Sequence, residues 1–141
     1  HPSVNLVVGR PGESWAKGVT AGANKLIDMG VADPDRLGVH GTSYGGYATA
    51  ALVTQTNMFK AAIIHAGQTN LVSTYGAFWH QNRGRDDAHL TLADPLRAET
   101  GQNRMGEPLY FDVERYVANS PVTHLASVTT PVPAAFAAGS R

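Results

Sequence analysis

The chain has 141 residues, 43% of them hydrophobic and 16% charged, which is typical of one folded domain and excludes intrinsic disorder as a description of the whole. Eleven basic and eleven acidic residues cancel, so we expect neither a nucleic-acid partner nor a membrane partner. The absence of cysteine excludes disulfides, thiolate metal sites and a cysteine nucleophile, and the apolar runs are far shorter than the roughly 18 residues that span a membrane.

The first two predicted elements are a strand and a long helix. Residues 4–8 form a short apolar run that ends at a turn rich in glycine and proline, as a strand does. Ser14 is the predicted N-cap of the helix, and Gly30 is its predicted C-terminal stop. The spacing of the apolar residues predicts a buried stripe on one face of this helix, made of Trp15, Val19, Ala23, Leu26 and Ile27.

Short connections then join a strand, a helix and a second strand. Pro34 predicts a turn, because it keeps the residue before it out of the helical region. Residues 37–40 are predicted as a strand, the alanine-rich residues 47–54 as a tightly packed helix, and residues 59–66 as a strand buried on both faces of a parallel sheet. This order predicts an α/β fold with a mostly parallel sheet and crossover helices.

The second half of the chain has a different character. Residues 68–108 combine aromatic residues with a polar stretch, which predicts an excursion over the top of the sheet with one or two short helices. Residues 112–118 predict another short helix. Residues 131–132 could open a strand, but Pro133 lacks the backbone donor that a central strand needs.

Gly41, Ser43 and Gly45 form the pattern G-x-S-x-G between a predicted strand and a predicted helix. This is the setting of a nucleophile elbow, in which a strained turn lifts the serine hydroxyl above the sheet. We expect a Cβ at either flanking glycine to clash with the closely approaching strand and helix. Ser43 is therefore the candidate nucleophile, and the backbone N–H of Tyr44 is the candidate oxyanion donor.

The turn has two other possible interpretations. Ser43 could serve only as the N-cap of a helix that follows a glycine-rich turn. A phosphate-binding loop is less favoured, because neither G-x-G-x-x-G nor G-x-x-x-x-G-K-[ST] occurs and no lysine lies near the loop.

Residues 33–47 read D-P-D-R-L-G-V-H-G-T-S-Y-G-G-Y and resemble the prolyl oligopeptidase family of serine peptidases. In that family D-P-x-R-[LI]-G precedes the nucleophile strand, and G-x-S-Y-G-G-Y holds the catalytic serine. The resemblance continues through F-K-A-A at 59–62, G-Q-N-R-M-G at 101–106 and E-R-Y-V-A-N-S-P at 114–121, so it covers most of the chain.

The resemblance implies a peptide substrate and an α/β-hydrolase catalytic domain that a β-propeller usually precedes. It implies that Ser43 is the acylated nucleophile, that the Tyr44 N–H lies in the oxyanion hole, and that three glycines shape the elbow: Gly41, Gly45 and Gly46. In such enzymes, side chains after the next strand help to form the pocket for the residue before the scissile bond. The residues in that region here are Tyr75, Phe78 and Trp79, each of which is equally well explained as a core aromatic.

The acid and the base of a catalytic triad are not assigned in this sequence. In this fold they follow the serine in the order acid, then histidine, and the family places both after the strand that begins near Pro131. The earlier acids are interpreted as surface or capping residues: Asp86, Asp87, Asp94 and Asp112. The earlier histidines are interpreted as exposed or locally bonded: His65, His80, His89 and His124. Their spacing fits no dense metal site, so we expect neither a metal nor a cofactor.

Residues 1–141 are accordingly interpreted as an incomplete α/β-hydrolase catalytic domain, truncated at both ends, and we expect little or no turnover from it alone. We expect a soluble protein, and the sequence does not distinguish a cytoplasmic from an exported one. Two alternatives stay open. One is a carboxylesterase-like α/β-hydrolase with the same elbow, and the other is a non-catalytic α/β module that binds through its sheet edge or its aromatic excursion.

Overall fold

The computed structural model describes residues 8–80, 90–92, 95–132 and 134–135, with side chains over 8–77 and 95–132. The helices are α1 (Pro11–Asp28), α2 (Tyr44–Val53), α3 (Leu71–Tyr75), α4 (Pro95–Glu99) and α5 (Val113–Ala118). The strands are β1 (Gly38–Thr42), β2 (Ala61–His65), β3 (Phe78–His80), β4 (Leu90–Leu92) and β5 (Ala134–Ala135). Short 3₁₀ helices cover Pro34–Arg36 and Pro121–Ser127. The strand predicted at residues 4–8 lies outside the described residues, apart from Val8.

Three strands form a parallel sheet in the order β1-β2-β5. Thr42 at the end of β1 pairs with His65 at the end of β2, so both strands end at the same edge. β5 pairs with β2 through Ala134 and Ala135 and is an outer strand among the described strands, while Pro133 lies outside the described residues. The predicted α/β fold with a parallel sheet is therefore confirmed. The excursion holds two short helices, as predicted, and an antiparallel pair of strands, β3 and β4, that was not predicted.

Helix α1 begins before the predicted start. Its N-cap is Arg10 and its first residue is Pro11, so Ser14 lies inside the first turn and the N-cap prediction for it is wrong. Proline suits this first position because its φ is already helical and its missing N–H would have no partner there. Gly30 follows the C-cap with a φ of 70°, as predicted for the glycine that ends a helix.

The stripe predicted for α1 is buried only in part: Ala23 and Ile27 are half-buried, and its other three residues are exposed. Trp15 is 41% exposed and Leu26 is 46% exposed, whereas the small residues Gly12 and Ala16 are buried. A Cβ on Gly12 would lie 3.4 Å from the Cβ of Ala51 in α2. Because α1 approaches α2 closely through small residues, its large apolar side chains keep exposed surface, and Trp15 meets α2 edge-on at the Tyr44 ring.

Strand β2 is not buried on both faces among the described elements. Ala62 has no exposed surface, but its neighbour Ile63 is 44% exposed. Successive strand residues point to opposite faces, and α2 is the described helix that packs on this sheet. The uniform apolar character of β2 therefore correctly indicated a parallel sheet, but it overestimated the burial.

Helix α2 is the centre of the described core. Tyr47 belongs to a cluster with residues of α3, α4 and α5, and Leu52 belongs to a second cluster that includes Ala16 and Phe59. The buried Tyr47 hydroxyl donates a hydrogen bond to the Asn119 carbonyl at 3.2 Å. Since α2 follows Ser43 directly, the candidate nucleophile is attached to the most firmly packed helix of the described chain.

Candidate active site

Ser43 forms the turn between β1 and α2. Its φ is 57° and its ψ is −120°, a backbone conformation that a non-glycine residue adopts at a cost of about 1–3 kcal/mol. The Ser43 N–H donates to the His65 carbonyl at 2.9 Å, and the Ser43 carbonyl accepts from the Tyr47 N–H at 3.1 Å. The backbone of Ser43 is thus bonded to both β2 and α2, while the residue itself is exposed.

The exposed hydroxyl distinguishes this turn from an ordinary helix cap. An N-cap serine accepts a hydrogen bond from an N–H group in the first helical turn. Ser43 makes no such side-chain bond to α2. Ser43 holds the N-cap position of α2 without the side-chain hydrogen bond of a capping serine, so capping does not account for its strained backbone.

At Gly41, strand β1 approaches α2 so closely that only a glycine fits. A Cβ on Gly41 would overlap the Gly45 carbonyl group and would lie 2.5 Å from the Thr49 Oγ1. The predicted clash is therefore confirmed for Gly41. It is wrong for Gly45, because a Cβ there would meet no described atom within 4 Å. The carbonyl of Gly45 contacts Gly41, but the Cα hydrogens of Gly45 face open space.

Gly46 is the second tight position. A Cβ on Gly46 would lie 2.7 Å from the His65 carbonyl oxygen and 2.9 Å from the Gly67 Cα. The start of α2 therefore lies directly against the backbone that leaves β2. This approach fixes the direction of α2 and, with it, the direction of the turn at Ser43.

Tyr44 is the first residue of α2. Its N–H has no acceptor within the helix and lies at the positive end of the helix dipole. Its half-buried ring stacks on Tyr47 at a centroid distance of 5.3 Å and meets Trp15 edge-on at 6.1 Å. Burial raises the pKa of the Tyr44 phenol, so this side chain stays neutral at physiological pH. The role of the Tyr44 N–H as an oxyanion donor stays a prediction, supported by its place at the start of α2 directly after Ser43.

Of the three aromatic residues predicted near the substrate, only Tyr75 has a described side chain. Tyr75 ends α3, and its hydroxyl donates to the Glu99 carboxylate at 2.5 Å. This hydrogen bond raises the pKa of Tyr75, and the ring meets Tyr116 edge-on at 5.5 Å. These are the contacts of a core aromatic, and a substrate contact of Tyr75 stays a prediction. The side chains of Phe78 and Trp79, in β3, lie outside the described part of the chain.

The candidate acids and bases in the described ranges have local partners. Asp112 caps α5 by accepting from the Arg115 N–H at 3.0 Å and pairs with the Arg115 Nε at 2.8 Å, which confirms its capping role. The His124 ring contacts the Ala118 carbonyl at 3.0 Å, and His65 is half-buried at the end of β2. The others lie outside the described side chains: His80, Asp86, Asp87, His89 and Asp94.

Two further absences apply to the described residues only. They contain no group of three or more histidine or acidic side chains that could hold a metal ion. No helix among them has both the length and the apolar character needed to cross a membrane.

Sequence reasoning missed that backbone strain concentrates around the elbow. Besides Ser43, the non-glycine residues with positive φ in the described ranges are Ala66, at 48°, and Arg104, at 50°. Ala66 directly follows His65, which binds the Ser43 N–H. Strained residues cluster at functional sites, so this grouping supports a site here.

A cavity opens beside Tyr44. It has a volume of about 360 Å³ and is lined by Ser14, Trp15, Tyr44, Gln102 and Arg104. A larger cavity of about 670 Å³ lies between α1, α2 and α5, and neither Ser43 nor Tyr44 lines it. Tyr44, which follows the candidate nucleophile in the chain, thus lines the smaller cavity and not the larger one.

The strain at Ser43 predicts an unusual order of stabilities. In the complete gene product, by which we mean the full-length polypeptide that the gene encodes, Ser43→Gly is expected to be about 1 kcal/mol more stable than Ser43→Ala, because glycine adopts a positive φ without strain. Denaturant unfolding measures the difference. At Ser73, an exposed residue of α3, the order should reverse, since alanine is favoured in helices. The same order at both positions would contradict the strained elbow.

Comparison with known proteins places these features in a family. The model of the prolyl oligopeptidase family matches residues 6–139. The uncharacterized peptidase YuxL of Bacillus subtilis is 33% identical over 100 residues, which cover 71% of this chain and 13% of that protein. The acylamino-acid-releasing enzyme of Arabidopsis thaliana is 29% identical over 130 residues, which cover 87% of this chain and 15% of that protein.

A solved structure agrees with this assignment. The puromycin-hydrolyzing peptidase of Mycobacterium tuberculosis is 29% identical, with a TM-score of 0.66, over 86% of this chain and 16% of that one. The chain thus spans only about 13–15% of the length of the curated relatives described above. Its parallel sheet and helices form part of an α/β-hydrolase fold. Because the family model matches nearly the whole sequence, the chain belongs to the prolyl oligopeptidase family.

Proposed function

We propose that this chain carries the nucleophile of a serine peptidase that hydrolyses peptide bonds through an acyl-enzyme on Ser43. The observation that carries the proposal is the strained, exposed Ser43 at the junction of β1 and α2. This junction lies at the carboxyl ends of parallel strands, which is where open α/β sheets bind their ligands. Membership in a family of peptidases supports the reaction class.

The proposed reaction assigns one role to each residue of the turn. A histidine takes the proton of the Ser43 hydroxyl as Oγ attacks the carbonyl carbon of the substrate. The Tyr44 N–H donates to the oxyanion that forms, and loss of one such donor typically costs about 3–4 kcal/mol in the barrier. The histidine then protonates the leaving amine, and water hydrolyses the acyl-enzyme.

We propose that the acid, the base and the second oxyanion donor come from polypeptide outside residues 1–141. Asp112 and His124 are occupied by local contacts, which supports this division. The same view makes residues 1–141 an incomplete catalytic domain with little turnover of its own. A β-propeller that precedes this domain and restricts access to short peptides is proposed from the family resemblance.

Covalent labelling of the complete gene product tests the proposal. A fluorophosphonate is expected to form one adduct, which mass spectrometry should place on Ser43. Ser43→Ala should abolish the label, whereas the matched control Ser73→Ala, at an exposed serine of α3, should keep it. An adduct elsewhere, or no adduct on the folded wild type, would contradict the nucleophile assignment and favour a binding module.

A second measurement separates a peptidase from an esterase. Both would be labelled, but only a peptidase should cleave peptide amides in addition to p-nitrophenyl esters. If the labelled wild type hydrolyses the ester and leaves amides that end in proline or alanine intact, the carboxylesterase-like alternative is correct.

A further inference from the structure

The segment 101–106, G-Q-N-R-M-G, places a cationic side chain in the cavity that Tyr44 also lines. Arg104 is exposed and lines the cavity next to Tyr44. Within the described part of the chain its guanidinium forms no ion pair, whereas Arg10 and Arg115 each have an acidic partner. An arginine that lines a cavity without an acidic partner is available for a ligand.

The backbone of this segment is held rigidly. The N–H groups of Asn103 and Met105 donate to carbonyls of α4 at 3.1 and 3.0 Å, and the Arg104 carbonyl accepts from Gly9 at 2.7 Å. Met105 is fully buried. Arg104 is therefore kept at its positive φ from both sides, and its side chain extends from a fixed point.

This rigid, strained position calls for an explanation. A non-glycine residue at positive φ lowers the stability of the fold, and such residues are retained mainly where function requires them. The same segment contains Gly101 and Gly106. A glycine at position 104 would adopt the positive φ without strain. Position 104 instead carries an arginine, a long cationic side chain.

The other lining groups are suited to a carboxylate. The Gln102 Oε1 accepts two hydrogen bonds from Arg97, at 3.2 and 2.6 Å. The amide N–H groups of Gln102 can therefore donate hydrogen bonds to a ligand. Trp15 and Tyr44 add aromatic walls. The nearby Glu13 does not line the cavity, and Lys17 and Arg10 neutralise it. The cavity thus combines apolar walls with a cation and amide donors, and no acidic residue is among its described lining.

We propose that Arg104 and Gln102 form a subsite for a carboxylate on the peptide substrate. Arginine binds carboxylates through charge-assisted hydrogen bonds, and the aromatic walls suit the short apolar stem that carries such a group. Tyr44 directly follows Ser43, and Tyr44 lines this cavity, so we place the carboxylate on a substrate residue near the scissile bond. This inference rests on the proposed peptidase function.

Matched substrate pairs test the subsite in the complete gene product. One pair differs by glutamate or glutamine on the acyl side of the scissile bond, and the other by a free carboxylate or a carboxamide on the leaving side. Arg104→Gln is expected to lower kcat/KM for the charged member of one pair by about 10- to 100-fold and to leave its neutral member within about twofold. The affected pair shows whether a side chain or a chain end supplies the carboxylate.

Arg36→Gln is the matched control. Arg36 is an exposed arginine before β1, and the five residues of that strand place it roughly 16 Å from the turn at Ser43. This variant should change neither pair. If Arg104→Gln affects charged and neutral members equally, or affects neither pair, the carboxylate subsite is wrong.

Labelling and binding separate this inference from the proposed function. Arg104→Gln should still react with a fluorophosphonate, so a labelled variant with unchanged selectivity overturns the subsite alone. If the wild type is not labelled, the proposed function fails, and calorimetry with N-acetylglutamate, N-acetylglutamine, N-acetyldialanine and its amide still tests the subsite. The wild type should bind one acid at least tenfold more tightly than its amide, and Arg104→Gln should lose this preference. Equal binding within both pairs would overturn the subsite.

Discussion

Replacing Ser43 by alanine is expected to lower kcat/KM of the complete gene product for peptide amides by about 10⁴- to 10⁶-fold. The variant lacks the hydroxyl that forms the proposed acyl-enzyme, and a water molecule that took its place would have to be positioned by the remaining groups alone. Steady-state hydrolysis of a chromogenic peptide amide measures the loss.

The structure also predicts what Ser43→Ala leaves unchanged. The turn is held by the backbone bonds of Ser43 to His65 and Tyr47, which the substitution does not remove. The thermal midpoint of the variant should therefore stay within a few degrees of the wild type, and a substrate-analogue inhibitor should bind it with similar affinity. The control Ser73→Ala should keep full activity. A Ser43→Ala variant that is folded and hydrolyses amides at the wild-type rate would overturn the peptidase proposal.

The second large effect is expected from Gly41→Ala. The added methyl group would overlap the Gly45 carbonyl group and approach the buried Thr49 hydroxyl. Little room exists to relieve this overlap, because α2 is packed on both sides through Tyr47 and Leu52. We expect a loss of about 3 kcal/mol in the free energy of unfolding, at the upper end for an overpacked site. Urea denaturation of the complete gene product measures it.

Activity should fall even if Gly41→Ala folds. A shift of α2 by about 1 Å would displace Ser43, and such misplacement can cost on the order of 100-fold in rate. The rate of labelling by a fluorophosphonate reports this displacement. Gly45→Ala is the matched control, since a methyl group there meets no described atom within 4 Å and alanine is favoured in a helix. Equal destabilisation by the two substitutions would show that the close approach at Gly41 is wrong.

The comparison of Gly41 with Gly45 also shows which structural features a local sequence pattern can predict. G-x-S-x-G correctly located a strand, a strained turn and a helix, because each follows from residues that are neighbours in the chain. The pattern wrongly predicted a Cβ clash at Gly45. The second position without room for a Cβ is Gly46, which lies against Gly67. That contact depends on how the chain leaves β2, and no local pattern describes it.

Helix α1 illustrates the same limit in packing. Its apolar spacing correctly predicted a helix, but the close contact with α2 is made by Gly12 and Ala16. Periodicity reports which residues share a face, and it does not report which of them a neighbouring helix covers. The predicted stripe lies on nearly the same face as Gly12 and Ala16, and two of its residues, Ala23 and Ile27, are half-buried. Its larger side chains keep exposed surface because small residues make the close contact with α2.

By itself the sequence determined the parallel sheet, the order of β1, α2 and β2 and the strained turn that carries Ser43, because backbone preferences and glycine placement act over a few neighbouring residues. Only the tertiary structure decided that the Ser43 N–H binds the His65 carbonyl and that Gly46 meets the chain leaving β2. It alone brought Arg104 to the cavity beside Tyr44. These features join segments that are distant along the chain, and their proximity depends on the packing of α2 against the sheet and on the hydrogen bonds that hold residues 101–106 to α4.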